Sequence, residues 1–445
     1  MCCSTFQLHA RAPQPPAGGL QVARPAAAGT TAPGSRDCTR AAKTRPPVEV
    51  GEIIRRHGTR FLAARGRRLS VQQRKVLAAL GACRTAAMGG HLLRCTACDT
   101  QTPVYNSCGN RHCPKCQAGD RAAWLEARRQ ELLPVQYFHV VLTVPHELAP
   151  VAAAHPAVFY NILFRAVRET LLEIALNPRH LGARTGGLMV LHTWGQALEL
   201  HPHIHAIVPG GGLSPDGTRW IPCKPGFFLP VRVLSRLLRG KLLAFLRQAY
   251  DRGELPWTGG LTPWADPREF ARFLTPLYEK EWAVYAKPPF GGAEQSLKYL
   301  ARYTYRVAIS NDRIESLEDG QVTFRYKDYA HGHRWRRMTL TSHEFLRRFM
   351  QHVLPRGFVR IRSFGLLANR GREEQLALCR QLLGVAETPT ETGSDAAFDS
   401  SVAEDEITHC PVCGQGMLMT VCRIPRPRAS ELVASTYQRR MFDSS

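Results

Sequence analysis

Between Cys83 and Cys116 the chain places six cysteines and two histidines in 34 residues. A segment so short and so polar cannot build a hydrophobic core of its own, and bound metal is the physical substitute. Cys95-Thr-Ala-Cys98 and Cys113-Pro-Lys-Cys116 are CxxC pairs with 14 residues between them, close to the spacing of a four-cysteine zinc ribbon. The interleaved Cys83, His91, Cys108 and His112 form a second complete set of ligand types, so the block is expected to hold one or two structural Zn²⁺ ions. The competing roles are packing or capping for His91 and a phosphate contact for His112 beside Arg111. Cys410 and Cys413, with His409 and Cys422 nearby, suggest a further zinc knuckle at the C-terminus.

Paired cysteines of this kind point to a reducing compartment, where zinc is a commoner partner than a disulfide. The 445 residues suffice for two or three domains, and 59 Lys+Arg against 36 Asp+Glu leave a formal charge of +23. That excess makes nucleic acid the leading partner. There is no apolar run of transmembrane length and no lipidation signal, so a cytoplasmic, nucleoid-associated location and no membrane partner are expected.

Residues 1–45, rich in Ala, Pro, Gly and Arg, read as a disordered basic arm. Apolar spacing predicts helices from 48 to about 80, over 118–133 and over 156–176. Residues 137–145 and 187–194 are short and β-branched, and they read as strands, the second feeding a further strand at 200–208. A β-hairpin is expected over 320–341, with a basic cluster at 334–337, and a helix over 342–353. Past 383 the chain turns polar and reads as a linker. The order predicts an α+β fold, a sheet with helices packed on it. The division is 1–45, 46–135, 136–385, and 386–445 as linker and knuckle.

In Leu200-His-Pro-His-Ile-His-Ala-Ile-Val208 the strand alternation puts His203 and His205 on one face and Ile204, Ala206 and Val208 on the other. One face can hold an ion while the other packs into a core. Gln196 is the expected third ligand, with Glu199 and His201 as alternatives. Two nitrogens and an oxygen suit Mg²⁺ or Mn²⁺ with positions left for a phosphate oxygen.

Downstream, Lys298-Tyr-Leu-Ala-Arg-Tyr-Thr-Tyr-Arg306 puts Tyr299 and Tyr303 four residues apart, on one face of a helix, among Lys298, Arg302 and Arg306. Phenols in a positive field can become nucleophiles. None of the usual glycine-rich nucleotide loops is present.

Together with Tyr105-Asn-Ser-Cys-Gly-Asn-Arg-His-Cys-Pro-Lys-Cys-Gln117, Tyr137-Phe-His-Val-Val-Leu-Thr-Val-Pro145, His201-Pro-His-Ile-His205 and Phe324-Arg-Tyr-Lys-Asp328, these motifs resemble the two-tyrosine HUH transposases of the insertion-sequence ninety-one family. The resemblance runs over roughly residues 50 to 385. It implies an HUH endonuclease-type sheet flanked by helices, with a small N-terminal zinc-binding domain over 46–135 and the HUH domain over 136–385. It implies metal-dependent nicking of single-stranded DNA at element ends and target, with a 5′-phosphotyrosine intermediate and strand transfer. His203 and His205 match the metal histidines, and Tyr299 and Tyr303 the paired nucleophiles. Arg111, Lys298, Arg302 and Arg306 are the expected DNA contacts. Tyr305 stands where many relatives carry histidine. The rival readings are a plasmid replication initiator or relaxase using the same chemistry, and a zinc-dependent DNA-binding regulator without catalysis.

Overall fold

The computed structural model describes residues 48–116, 128–287, 307–329, 331–385 and 409–427. The basic arm, the linker and the stretch holding Tyr299, Tyr303, Tyr305, Lys298, Arg302 and Arg306 lie outside the described residues, as does most of the helix expected at 118–133.

Thirteen strands and eight helices are described. The strands are β1 (Gly90–Cys95), β2 (Gln101–Tyr105), β3 (Tyr137–Thr143), β4 (Gly186–Trp194), β5 (Leu200–Pro209), β6 (Gly211–Leu213), β7 (Trp220–Pro222), β8 (Val284–Lys287), β9 (Ile314–Glu318), β10 (Gln321–Asp328), β11 (Arg334–Thr341), β12 (Ile361–Gly365) and β13 (Leu418–Ile424). The helices are α1 (Val50–Arg65), α2 (Val71–Ala82), α3 (Ala149–Ala154), α4 (Pro156–Leu176), α5 (Val231–Asp251), α6 (Pro267–Glu279), α7 (Ser342–Met350) and α8 (Arg372–Leu382). The mixture of helices with antiparallel sheets is the expected α+β class.

A five-stranded antiparallel sheet in the order β12-β4-β5-β3-β8 forms the centre. One face is apolar. Phe138, Val140 and Leu142 of β3, Met189 and Leu191 of β4, and Ile204, Ala206 and Val208 of β5 are buried against α4, α5 and α6, with Phe159, Leu163, Leu238, Leu242 and Phe270 among the helix contributions. Each large side chain so buried is worth roughly 1.5–3 kcal/mol, which fixes the register: a slip of one residue would turn the alternate set into this core.

That alternate set is where the histidines lie. A second core joins α1, α2 and α7 to the sheet β11-β10-β9 through Ile53, Phe61, Leu77, Phe324, Phe345 and Phe349, and it includes Cys83 and Cys113. The helices preceding the cysteine block therefore share apolar packing with residues 308–353. α2 starts on a capping box, in which Gln73 N–H donates to Ser70 Oγ at 3.1 Å and Ser70 N–H to the Gln73 side chain at 2.8 Å. A third sheet, β13-β1-β2, joins residues near the C-terminus to the cysteine block. α8 closes a small cluster with Leu133, Leu213 and Leu366, and β6 and β7 form a short ribbon.

Candidate metal centres

The opposite face of the central sheet, which also carries the buried Tyr137, Leu188, Val190 and Ile207, gathers histidines from three adjacent strands. His203 on β5 stands opposite His192 on β4, and His205 opposite Val190 on β4 and Val141 on β3. His192, His203 and His205 each offer a ring nitrogen within 4.8 Å of the others. Strand alternation thus places His203 and His205 as the sequence predicted. The third member differs from expectation.

The three histidines form a set without the oxygen ligand expected from Gln196. Gln196 sits in the turn between β4 and β5, where its main-chain carbonyl accepts a hydrogen bond from Arg313. Glu199 is also turned elsewhere, with Ala197 N–H donating to its carboxylate at 2.9 Å. That turn has little freedom. A side chain at Gly195 would overlap the Glu199 carboxylate, and Leu198 holds a left-handed φ of 63° while its side chain is fully buried. The Leu198 carbonyl accepts from Gln351 Nε2 at 2.7 Å and lies 3.1 Å from His352 Nε2. These contacts hold the hairpin that presents the histidines. His192 had no motif to mark it, but its place follows from the register of β4 against β5.

Hydrogen bonds set the ring orientations. His203 Nδ1 lies 2.7 Å from the His201 carbonyl, which assigns it as the donor and leaves Nε2 as the basic nitrogen. His205 Nδ1 is 2.7 Å from Nε2 of His139, which reaches over from β3 with its ring parallel to that of His205. Burial holds the His139 pKa down to about 4, so this imidazole is neutral at pH 7 and its Nε2 can accept the proton of His205. His139 is a site residue that sequence reading missed; it lay in the quoted strand motif without an assigned role. His201 is half-buried, and burial lowers its pKa too.

The cysteines separate into two groups of four, partnered differently from the sequence expectation. Cys83, Cys108, Cys113 and Cys116 make one, and Cys95, Cys98, Cys410 and Cys413 the other. The two central CxxC pairs thus fall in different groups, because β1 and β2 carry Cys95 and Cys98 away from Cys113. Sulfur separations are 3.5 Å for Cys83–Cys116, 3.6 Å for Cys83–Cys113 and 3.7 Å for Cys108–Cys116. A tetrahedral Zn²⁺ with Zn–S of about 2.3 Å requires S···S of about 3.8 Å, whereas a disulfide needs about 2.05 Å. The donor set fits zinc. His91 is exposed on β1 and His112 is buried with its pKa held near 3, chiefly by burial; neither joins a cysteine group. Cys410 and Cys413 do not build a separate knuckle. Arg111 departs from expectation as well: its guanidinium donates to the carbonyls of Phe358 at 2.5 Å and Pro355 at 3.1 Å, bracing a loop instead of facing outward.

Two family models match the chain. Residues 53–144 match the family model described as "Transposase zinc-binding domain", and residues 186–375 the model described as "Putative transposase". A protein of Sinorhizobium fredii named "Putative transposase y4qJ" is 52% identical over 377 residues, covering 84% of this chain and 94% of the relative. The chain belongs to the insertion-sequence ninety-one family of transposases. The "Transposase for insertion sequence element IS801" of Pseudomonas savastanoi pv. phaseolicola is 25% identical over 351 residues, covering 76% of this transposase and 81% of that one. No solved structure matches the chain significantly. Among the described residues no helix of this transposase is long and apolar enough to cross a membrane.

Proposed function

We propose that this transposase is an HUH nickase that cuts and rejoins single-stranded DNA at the ends of a rolling-circle insertion sequence. The observation that carries the reading is the face shared by His192, His203 and His205, whose ring nitrogens converge within 4.8 Å. A divalent ion bound there supplies Lewis-acid polarisation of a phosphate oxygen. Three imidazoles in place of two and an oxygen suit a first-row transition ion better than Mg²⁺, which favours Mn²⁺ between the two ions expected. His201 and His139 act one step back, holding His203 and His205 in the tautomers that leave Nε2 basic.

The nucleophile is assigned to Tyr299 or Tyr303. The chain enters their segment from β8, whose Lys287 pairs with His139 on β3, and is described again from Val307, with Ala308 and Ile309 in the second core. In the proposed step the phenolic oxygen bonds to phosphorus and loses its proton. The bond from phosphorus to the 3′ oxygen breaks, and that oxygen takes up a proton. A 5′-phosphotyrosyl link and a 3′-hydroxyl result, and the second tyrosine can attack while the first link persists, so no ATP is needed.

A path for the strand is available on β10 and β11. Their inner face, with Val322 and Phe324, is in the second core. Their outer face pairs Arg325 with Arg337 and Lys327 with Trp335, and Trp335 and Tyr329 are 61% and 56% exposed. Like charges opposite one another on a sheet repel, and Glu315 is the acidic partner, 2.7 Å from Arg337 and 3.4 Å from Arg325. Exposed aromatics among cations suit stacked bases and phosphates. Arg313 links this ribbon to the histidine turn, donating to the carbonyls of Arg325 and Gln196.

The test is a labelled single-stranded oligonucleotide from the element end, incubated with Mn²⁺. Covalent protein–DNA product is expected from the wild type and none from the Tyr299→Phe/Tyr303→Phe double variant. Undiminished product from the double variant would overturn the reading.

A further inference from the structure

Cys410-Pro-Val-Cys413 lies outside both family-model matches, which end at residues 144 and 375. We infer that Cys95, Cys98, Cys410 and Cys413 hold one structural Zn²⁺ that works as a clasp, fastening the segment 409–427 to β1, and that the segment detaches when this metal leaves.

The cluster is built as two facing knuckles. Cys95 and Cys413 sulfurs are 3.6 Å apart and Cys98 and Cys410 sulfurs 3.7 Å, again near the edge of a zinc–thiolate tetrahedron of about 3.8 Å. Backbone N–H groups point at the sulfurs, from Ala97 to Cys95 at 3.3 Å, from Val412 to Cys410 at 3.4 Å and from Gly416 to Cys413 at 3.5 Å. Such donors stabilise thiolate over thiol. Gly416 is required at its place, since a Cβ there would lie 2.2 Å from Cys95 Sγ.

Apolar burial cannot do the fastening. Within 409–427 only Cys410 and Gly416 are buried, while Val412, Met417, Met419 and Val421 are exposed. What remains is the ladder between β13 and β1, from Gly90 opposite Ile424 to Cys95 opposite Leu418, interrupted by a bulge at Leu92/Leu93, with a few bonds at its ends: Thr96 N–H to the Met417 carbonyl at 2.9 Å, Met417 N–H to Thr96 Oγ1 at 3.0 Å and Arg426 to the Ala87 carbonyl at 3.3 Å. Among the described residues β13 is an edge strand with neither face covered, and such a strand is marginal in water. A metal bond across a sequence separation of 312 residues, as between Cys98 and Cys410, provides what the side chains do not.

The other cysteine group has a different setting. Cys83 and Cys113 are buried in the second core, and Cys108, Cys113 and Cys116 come from one short stretch, whereas Cys98 is exposed and half the clasp's ligands arrive from a distant segment. The clasp metal should therefore be the first to go to a chelator.

The experiment uses the full chain with a protease site placed within 386–408, and reads metal content and retention of the C-terminal fragment. Wild type should carry one zinc equivalent more than either the Cys410→Ser/Cys413→Ser or the Cys95→Ser/Cys98→Ser variant. After cleavage its fragment should stay with the body in zinc and be released by brief chelation, with the variants releasing it from the outset. The inference is overturned if the variants retain the wild-type zinc content, or if the zinc-loaded wild type sheds its fragment on cleavage. Neither readout involves strand cutting, so the result is independent of the nickase reading.

Discussion

His192 and Gln196 are four residues apart; β4 aims the first at the histidine pair, and the second lies in the turn beyond the strand. Replacing His192 by Ala should abolish Mn²⁺-dependent nicking, while Gln196→Ala should leave it within about twofold; equal losses in a metal titration of cleavage would refute the three-histidine assignment. His139→Ala removes only the partner of His205, and outer partners of this kind are worth about 10–100-fold in metal affinity. Acid should act on another histidine. His352 is fully buried between Thr193 Oγ1 and the Leu198 carbonyl, and its pKa is lowered by burial to about 4. The unfolded chain takes up this proton near pH 6.5 and the folded chain does not until about pH 4. Stability should thus fall as pH drops from 6.5 towards 4, by up to about 1.4 kcal/mol per pH unit for this group. Urea midpoints across that range would show a shallower slope for His352→Gln.

At the scale of elements, much of the central sheet was legible. The strand at 137–145 and the histidine strand are short β-branched runs, and the alternation of Ile204, Ala206 and Val208 with His203 and His205 fixes which face meets the helices. The hairpin at 320–341 was equally readable. What could not be read was which strands lie side by side. The third histidine depends on β4 pairing with β5 in one register, and the cysteine groups depend on β13 pairing with β1; both are non-local facts that CxxC spacing does not encode. Proximity in sequence suggested that Cys95 and Cys98 would join Cys113 and Cys116, but the ribbon formed by β1 and β2 projects its cysteines away from the second core. The outer face of β10 and β11 offers its own test. Trp335→Ala should weaken single-strand binding by about 1–3 kcal/mol, the worth of one stacked base. Neutralising Arg325 and Arg337 together should reduce the salt slope by about 1.4, since each single-strand phosphate contact contributes about 0.7. An unchanged slope in fluorescence anisotropy would remove these arginines from the strand path.

Over the whole molecule, the +23 charge and the cysteine count indicated a metal-dependent nucleic-acid protein before any fold was known. They did not show that the zinc-binding portion would be completed from the opposite end of the chain. A chain ending at residue 385 should lose one zinc equivalent and leave the outer edge of β1 unpaired, and exposed edges recruit other strands. Light scattering should detect its association at concentrations where the full chain stays dispersed.

The pairing of β13 with β1 also sets an order of events during synthesis. Domains generally fold from the N-terminus as the ribosome releases them, but the sheet begun at Gly90 waits for Ile424. Until then β1 has one neighbour and Cys95 and Cys98 have half a coordination shell. A chain cut short before residue 409 by a frameshift or a premature stop would stay at that waiting stage, so the last of the described strands is the one that completes the sheet begun at Gly90.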